Sequence, residues 1–236
     1  MDSKSILCDP GSSGKEVGVS LPKKPIRQKD FPRVVIAVPL ASPFIYWRTV
    51  AGLLEMERPI ESDLVVFQGA LVDRARNQLI ERMLDHPIDP THLFFLDADI
   101  VPPSDALLRL LAHDLPIVSG LYRKRLPPHE PMAFTYRGRI LRPIPAKGPR
   151  LRKVDVVGGG CLLIRREVFE KVRSPWFTSE WRRDGHLSED FSFCEKARKV
   201  GYRIAVDTAV RPLHLEPMGV GTDAAGRVQF VPMEGK

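Results

Sequence analysis

Cysteine is scarce in this chain, three residues in 236, and Cys8, Cys161 and Cys194 form neither a CxxC pair nor a zinc-ligand spacing. That excludes a disulfide framework, and the apolar surroundings of Cys161 and Cys194 predict buried free thiols. Long apolar runs are missing as well. None approaches the roughly 18 residues that a membrane-crossing helix needs. The opening MDSKSILCDPGSSGKEVG has no apolar core of signal-peptide length, so a cytoplasmic protein with no membrane span is the expectation. No internal repeat is visible, and 22 prolines argue for several irregular connections rather than a helical bundle. Acidic residues almost vanish between Arg123 and Lys153. There Arg123, Lys124, Arg125, Arg137, Arg139, Arg142, Lys147, Arg150, Arg152 and Lys153 face one acid, Glu130, an excess larger than the +7 of the whole chain.

What is present reads as alternating strands and helices. Residues 1–30, rich in Ser, Gly, Lys and Pro, have the composition of a disordered tail. RVVIAVPLA is a β-branched run suited to a strand buried on both faces. Helical character over 41–60 follows, then DLVVFQ as a second strand. In ALVDRARNQLIERMLDH, Val72, Ala75, Leu79 and Met83 share one helical face. THLFFLDAD supplies a third strand, Ser104 is the expected N-cap of DALLRLLAHD, and PIVSGLY is a fourth strand. Alternation of this kind over 120 residues predicts an α/β fold with a mostly parallel central sheet, whose ligand site lies beyond the carboxyl ends of its strands. The second half mixes short strands with KVDVVGGGCLLIRREVFEKV, read as strand, glycine triplet, strand and helix. A helix in which Phe193, Ala197 and Val200 share a face follows, stopped by Gly201, and then the strand YRIAVD. The domain is expected over 31–218, with a C-terminal tail over 219–236.

Three features carry chemistry. Asp97 and Asp99 end the third strand, and in an extended segment residues i and i+2 point the same way, so both carboxylates can converge on one hard divalent cation. A solvated turn is the competing reading of a bare D-x-D. Ser188, Glu189 and Asp190 open a helix, where acids complement the helix dipole or hold a general base over a pocket. His214 in AVRPLHLEP is a lone histidine beyond a strand, a ligand only in the right company.

In order and spacing these features resemble glycosyltransferases of the GT-A fold (the Rossmann-like fold of nucleotide-diphospho-sugar transferases), with family 2-like enzymes and their phage and bacterial relatives nearest. The matching stretches are RARNQLIERML, FLDADIVPPSDALLRLL, VVGGGCLLIRREVFEKV, SEDFSFCEKARKVGYRIAVD and PLHL, together spanning about residues 33–215. The resemblance implies a metal-dependent enzyme that moves a sugar from a nucleotide-diphosphate sugar, a UDP-sugar first among candidates, to an acceptor hydroxyl on a glycan or other molecule. Asp99 would bind Mn²⁺ or Mg²⁺, Asp97 would serve the metal and the sugar nucleotide, and His214 would complete the metal site. Arg76 and Asn77 would stand on the nucleotide side, and Pro39 where the base rests. Asp190, or else Glu189, would deprotonate the acceptor, and direct attack would invert the anomeric centre. Trp176 and Gly158 to Gly160 would shape the acceptor side, although Trp176 is equally suited to core packing.

Two other classes compete. The basic 123–153 stretch could make the chain a nucleic-acid-binding module, or a glycosyltransferase acting on a modified base; solvated surface is the plainer reading of such a run. A nucleotidyltransferase would carry a Gly-rich basic loop after the first strand, where this chain has VPLASPFIY.

Overall fold

Strand-forming sequence becomes strand in the order its pattern predicts. The structure, a computed structural model, describes residues 31–69, 71–138, 140–145, 150–182, 185–222 and 225–232, and from Pro32 on these belong to one compact unit. The expected tail over 1–30 lies outside the described residues, as do Cys8, Arg139 and Lys147. β1 (Val34–Leu40) leads to α1 (Trp47–Glu55), β2 (Ser62–Gln68) to α2 (Val72–Leu84), and β3 (His92–Leu96) through a tight turn to β4 (Ile100–Val101) and α3 (Ala106–Leu111). Next come β5 (Ile117–Gly120), β6 (Ala133–Arg137), β7 (Ile140–Pro143), β8 (Leu151–Val154) and β9 (Val156–Val157). Then follow β10 (Cys161–Arg165), α4 (Arg166–Lys171), β11 (Glu180–Arg182), β12 (Gly185–Leu187), α5 (Glu189–Lys199), β13 (Ile204–Asp207) and β14 (Leu213–His214). β15 (Met218–Thr222) and β16 (Val228–Pro232) come last.

Seven strands form the central sheet in the order β2-β1-β3-β10-β5-β13-β8. β2, β1, β3, β5 and β13 run one way, while β10 and β8 are antiparallel to their neighbours. The mostly parallel sheet is therefore as expected. Side-chain alternation along each strand divides the core in two. Val35, Ala37, Leu93 and Phe95 pack under Leu79 and Met83 of α2 and Phe193 and Ala197 of α5. Val34, Ile36, Val38, Phe94 and Leu96 pack against Leu53 of α1 and Leu107 and Leu110 of α3. Strands covered on both sides must be apolar at every position, which is why VVIAVPL and HLFFL show no polar alternation.

Three local expectations change. α3 begins at Ala106 with Asp105 at its N-cap and no side-chain capping bond, so Ser104 does not cap it; the Ser104 carbonyl instead accepts from the Glu57 amide at 2.8 Å. Val200 lies past the end of α5 and is exposed, because Gly201 turns the chain with a positive φ of 95°. The segment expected as a C-terminal tail contains an antiparallel pair, Met218–Thr222 against Val228–Pro232, in which each short strand satisfies the other's backbone.

Candidate active site at the carboxyl edge of the sheet

The strand β3 ends at Leu96, and the chain turns at once: the Ile100 amide donates to the Asp97 carbonyl at 3.0 Å. Asp97 and Asp99 are therefore not two positions of an extended segment, and their carboxylates take different partners. Asp97 Oδ1 accepts from Arg76 Nη2 at 2.8 Å, whereas Asp99 Oδ2 lies 3.4 Å from His214 Nε2 and 3.3 Å from Arg125 Nη1. The expected metal set of Asp97, Asp99 and His214 is thus divided between an Asp97–Arg76 pair and an Asp99–His214 pair. Among the described residues no group of three His, Cys, Asp or Glu side chains is arranged to hold a metal. Asp99 and His214 form the pair that faces one another.

His214 reaches Asp99 because β14 pairs antiparallel with β4, setting His214 opposite Ile100. Its Nδ1–H donates to the Arg123 carbonyl at 2.7 Å, which turns Nε2 toward Asp99. Burial works against a charge on His214, but the hydrogen bonds to Asp99 and Arg123 raise its pKa above the ordinary value. Burial also opposes ionisation of Asp99, and the bond from His214 with the nearby Arg125 outweighs it, lowering that pKa.

Arg76, on α2, is the centre of the buried half. It is 2% exposed, lies 3.4 Å from Glu189 Oε1 through Nε, donates to the Gly159 carbonyl at 3.3 Å, and stands over the rings of Phe95 and Phe177. Burial penalises its charge, yet Asp97, Glu189 and Asp190 hold the guanidinium ionised and push its pKa up. Asp97 in turn is raised, chiefly by burial and partly by Asp99, with Arg76 pulling the other way.

The glycine triplet is dictated by what surrounds it. The antiparallel register of β10 puts Cys161 opposite Leu96, so the turn before it meets the end of β3 and the Asp97 amide donates to the Gly160 carbonyl at 3.1 Å. A Cβ on Gly158 would lie 2.2 Å from the Tyr122 hydroxyl, on Gly159 2.8 Å from the Arg76 guanidinium, and on Gly160 3.0 Å from Asp97 Oδ2. Only a chain without side chains fits between these groups.

At the start of α5, Asp190 is buried. Its Oδ1 accepts from the Phe191 amide at 2.8 Å and from the Ser188 hydroxyl, and its Oδ2 accepts from the Gly159 amide at 3.3 Å. Burial, then the neighbouring Glu189, raises its pKa to about 6. Glu189 is committed to Arg76.

No protein family and no curated protein matches this sequence. Among solved structures, the protein A197 from STIV superposes with a TM-score of 0.62 at 17% identity, covering 84% of this chain and 94% of that one. GalNAc-T7, solved with UDP, GalNAc and Mn²⁺, superposes with a TM-score of 0.55 at 14% identity. That match covers 79% of this chain and 44% of the transferase. The fold is of the GT-A type. In the GT-A frame of this chain, Pro39 is buried near the end of β1, opposite Phe67 of β2. Asn77 donates to the Phe177 carbonyl at 2.7 Å and accepts from the Trp176 and Phe177 amides at 3.0 Å each, and it borders a hollow with Phe67, Gln68 and Gly69 at the end of β2. Trp176 packs in the core with its indole N–H on the Phe169 carbonyl at 2.9 Å. Cys161 and Cys194 are buried free thiols whose pKa values burial raises to about 12, too high for nucleophiles. Tyr122 is a site group that the sequence does not single out, and Arg125 stands out there only as part of the basic run. Tyr122 is buried, its hydroxyl accepts from the Gly160 amide at 3.0 Å, and its ring meets His214 edge-on at 5.5 Å. Arg125 reaches Asp99. Both follow β5, a parallel strand of the sheet, and the rule that ligand groups gather at such strand exits could have pointed to them.

Proposed function

We propose that this chain is a glycosyltransferase that moves a sugar from a nucleotide-diphosphate sugar to an acceptor hydroxyl. The observation that carries the reading is the gathering of Asp97, Asp99, His214, Arg76 and Asp190 from four separate segments at one edge of a GT-A sheet. Fold alone would not support an activity; the set of groups does.

A divalent cation fits beside Asp99 and His214. The carboxylate and imidazole face each other, the Nδ1–H bond to the Arg123 carbonyl makes Nε2 the nitrogen that a cation would take in exchange for its proton, and the Arg125 guanidinium already stands there as a positive charge. Two protein ligands match a hard cation that takes its remaining oxygens from substrate phosphates and water. Bound there, Mn²⁺ or Mg²⁺ would offset the negative charge that develops on the departing diphosphate. Arg76, buried and paired with Asp97, favours the ionised form of that carboxylate and holds it in place on the donor side. Pro39 marks the base side, and a UDP-sugar is the first donor to try.

In the transfer, the acceptor oxygen bonds to the anomeric carbon as the bond from that carbon to the diphosphate oxygen breaks. The electron pair leaves with the nucleoside diphosphate, and the acceptor proton passes to Asp190. Direct attack inverts the anomeric centre. Asp190 suits the proton transfer better than Glu189, since its pKa of about 6 keeps it ionised yet basic near neutrality, while Glu189 is spent on Arg76. The test is calorimetry with UDP-, GDP- and TDP-sugars with and without Mn²⁺. The reading expects metal-dependent binding of at least one donor and its loss in Asp99→Asn; binding of none would sink it.

A further inference from the structure

A cleft of about 560 Å³ opens next to His214, walled by the loop after β5 on one side and by 211–216 on the other. Its charge is lopsided. Arg123, Lys124, Arg125, His129, Arg211 and His214 line it, and Glu216 is the acid among the lining residues. The loop is a built wall: Arg123 bridges Pro131, the Lys124 amide donates to the Glu130 carbonyl at 2.9 Å, and the Met132 amide donates to the Tyr122 carbonyl at 2.8 Å.

Three of the cations already have acids. Lys124 pairs with Glu130 at 2.8 Å, and Arg125 and His214 with Asp99. Arg123 and Arg211 differ. Each spends one guanidinium nitrogen on a backbone carbonyl, Arg123 Nη1 on His129 at 2.7 Å and Arg211 Nε on Thr208 at 2.9 Å. Neither makes an ion pair with a described carboxylate. A guanidinium pinned at one nitrogen and open at the others is preorganised to grip an oxyanion. Asp97, Asp190 and Pro39 do not line the cleft, whereas His214 and Arg125, assigned above to the metal side of the donor, form its border with the proposed active site.

We infer that this cleft, which opens beside His214, takes the phosphate of a small phosphorylated acceptor, held by Arg123 and Arg211. The inference rests on the glycosyltransferase reading for the word acceptor, and on the cleft alone for the phosphate. The concave form and volume suit a small molecule, at the scale of ordinary ligand pockets, rather than an extended duplex.

The experiment is calorimetry of the full chain in EDTA with a panel of hexose and pentose phosphates, the parent sugars, UDP, and a single-stranded oligonucleotide. At least one sugar phosphate is expected to bind and its parent sugar not to. Arg123→Gln and Arg211→Gln, each checked for an unchanged melting temperature, should weaken that binding about tenfold or more, as loss of a charged hydrogen bond implies. Arg211→Lys should recover part of it. Competition by UDP with the same arginine dependence would overturn the inference, because the cleft would then be the donor's diphosphate seat. Tighter, steeply salt-dependent oligonucleotide binding through the same arginines would also overturn it, in favour of a nucleic-acid surface. So would sugar-phosphate binding indifferent to both variants, or none. A separate titration of donors with Mn²⁺ distinguishes the two readings: loss of donor binding with sugar-phosphate binding intact removes the glycosyltransferase and leaves the anion site.

Discussion

The two aspartates of FFLDADIV differ more in surroundings than in sequence. Asp97 is paired with the buried Arg76, and Asp99 with His214 and the exposed Arg125, while both carboxylates are themselves part-buried. Substitutions should separate them. Asp99→Asn is expected to abolish Mn²⁺-dependent donor binding while leaving the fold intact, measured by calorimetry alongside a thermal melt. Arg76→Met should instead unfold readily, because it strands Asp97 and Glu189 in a buried site; breaking such a pair costs about 3–5 kcal/mol, readable by urea denaturation. Asp190 gives a pH signature. Its pKa in the folded chain is raised to about 6 from an ordinary 3.8, so the transfer rate should rise through about pH 6 and flatten above it. Asp190→Asn should lower the rate by about 10²- to 10⁴-fold with donor affinity retained. The same shift acts on stability with the opposite sense. A carboxyl that holds its proton more tightly when folded destabilises the native state as pH rises between its two pKa values. The wild type should therefore lose stability relative to Asp190→Asn from about pH 4 to pH 6 in a melting series.

At the scale of elements, the site depends on one register and one bracket. The register of β10 against β3 drives the glycine turn between Tyr122, Arg76 and Asp97. Gly159→Ala should cost about 1–3 kcal/mol, as overpacking does, and should weaken donor binding with it because Arg76 must move; denaturation and calorimetry on one preparation test both. The bracket is Asn77, whose amide ties α2 to the chain at Trp176 and Phe177. Phe177 then stacks on Phe193 of α5 at 4.6 Å, so α2 and α5, which carry Arg76 and Asp190, share one support. Asn77→Ala should destabilise the chain by leaving backbone groups unpaired, at about 1–3 kcal/mol for each such group when buried. It should lower donor affinity only in proportion to unfolding. A direct loss of nucleotide contact, with stability unchanged, would contradict this role.

Across the whole molecule, the basic stretch is not one surface. Arg123, Lys124 and Arg125 line the cleft at the site, while Arg150, Arg152 and Lys153 lie at or beside β8 on the edge of the sheet opposite β2. Arg150 is paired with Asp207 at 3.3 Å, which His113 also approaches at 2.8 Å. Burial opposes the charge of Asp207, but the bonds from His113 and the Ala209 amide, with Arg150, lower its pKa. A depressed carboxyl stabilises the fold above its ordinary pKa and ceases to do so as pH falls through the folded one. Asp207→Asn should therefore be less stable than the wild type at neutral pH and converge with it below about pH 4, near the ordinary aspartate value.

The sequence by itself determined the α/β order, the apolar strands, the free thiols and the placement of DAD at a strand end. Those follow from composition and local period, because a strand covered on both faces has no polar position to spare. Asp97, Asp99, Arg76, Asp190 and His214 could be picked out as candidates one at a time. What only the tertiary structure decided is how they divide. The turn after Leu96 gives one carboxylate to Arg76 and the other to His214 and Arg125, and neither pairing follows from residue spacing once the segment stops being extended. The supporting role of Asn77 was out of reach of the sequence, since its partners Trp176 and Phe177 lie about a hundred residues away. The glycine triplet, Tyr122 and the open arginines of the cleft gain meaning only where β10, β5 and β14 bring separate parts of the chain to one edge. Local sequence sets what an element can be; the register between distant elements sets what its side chains meet.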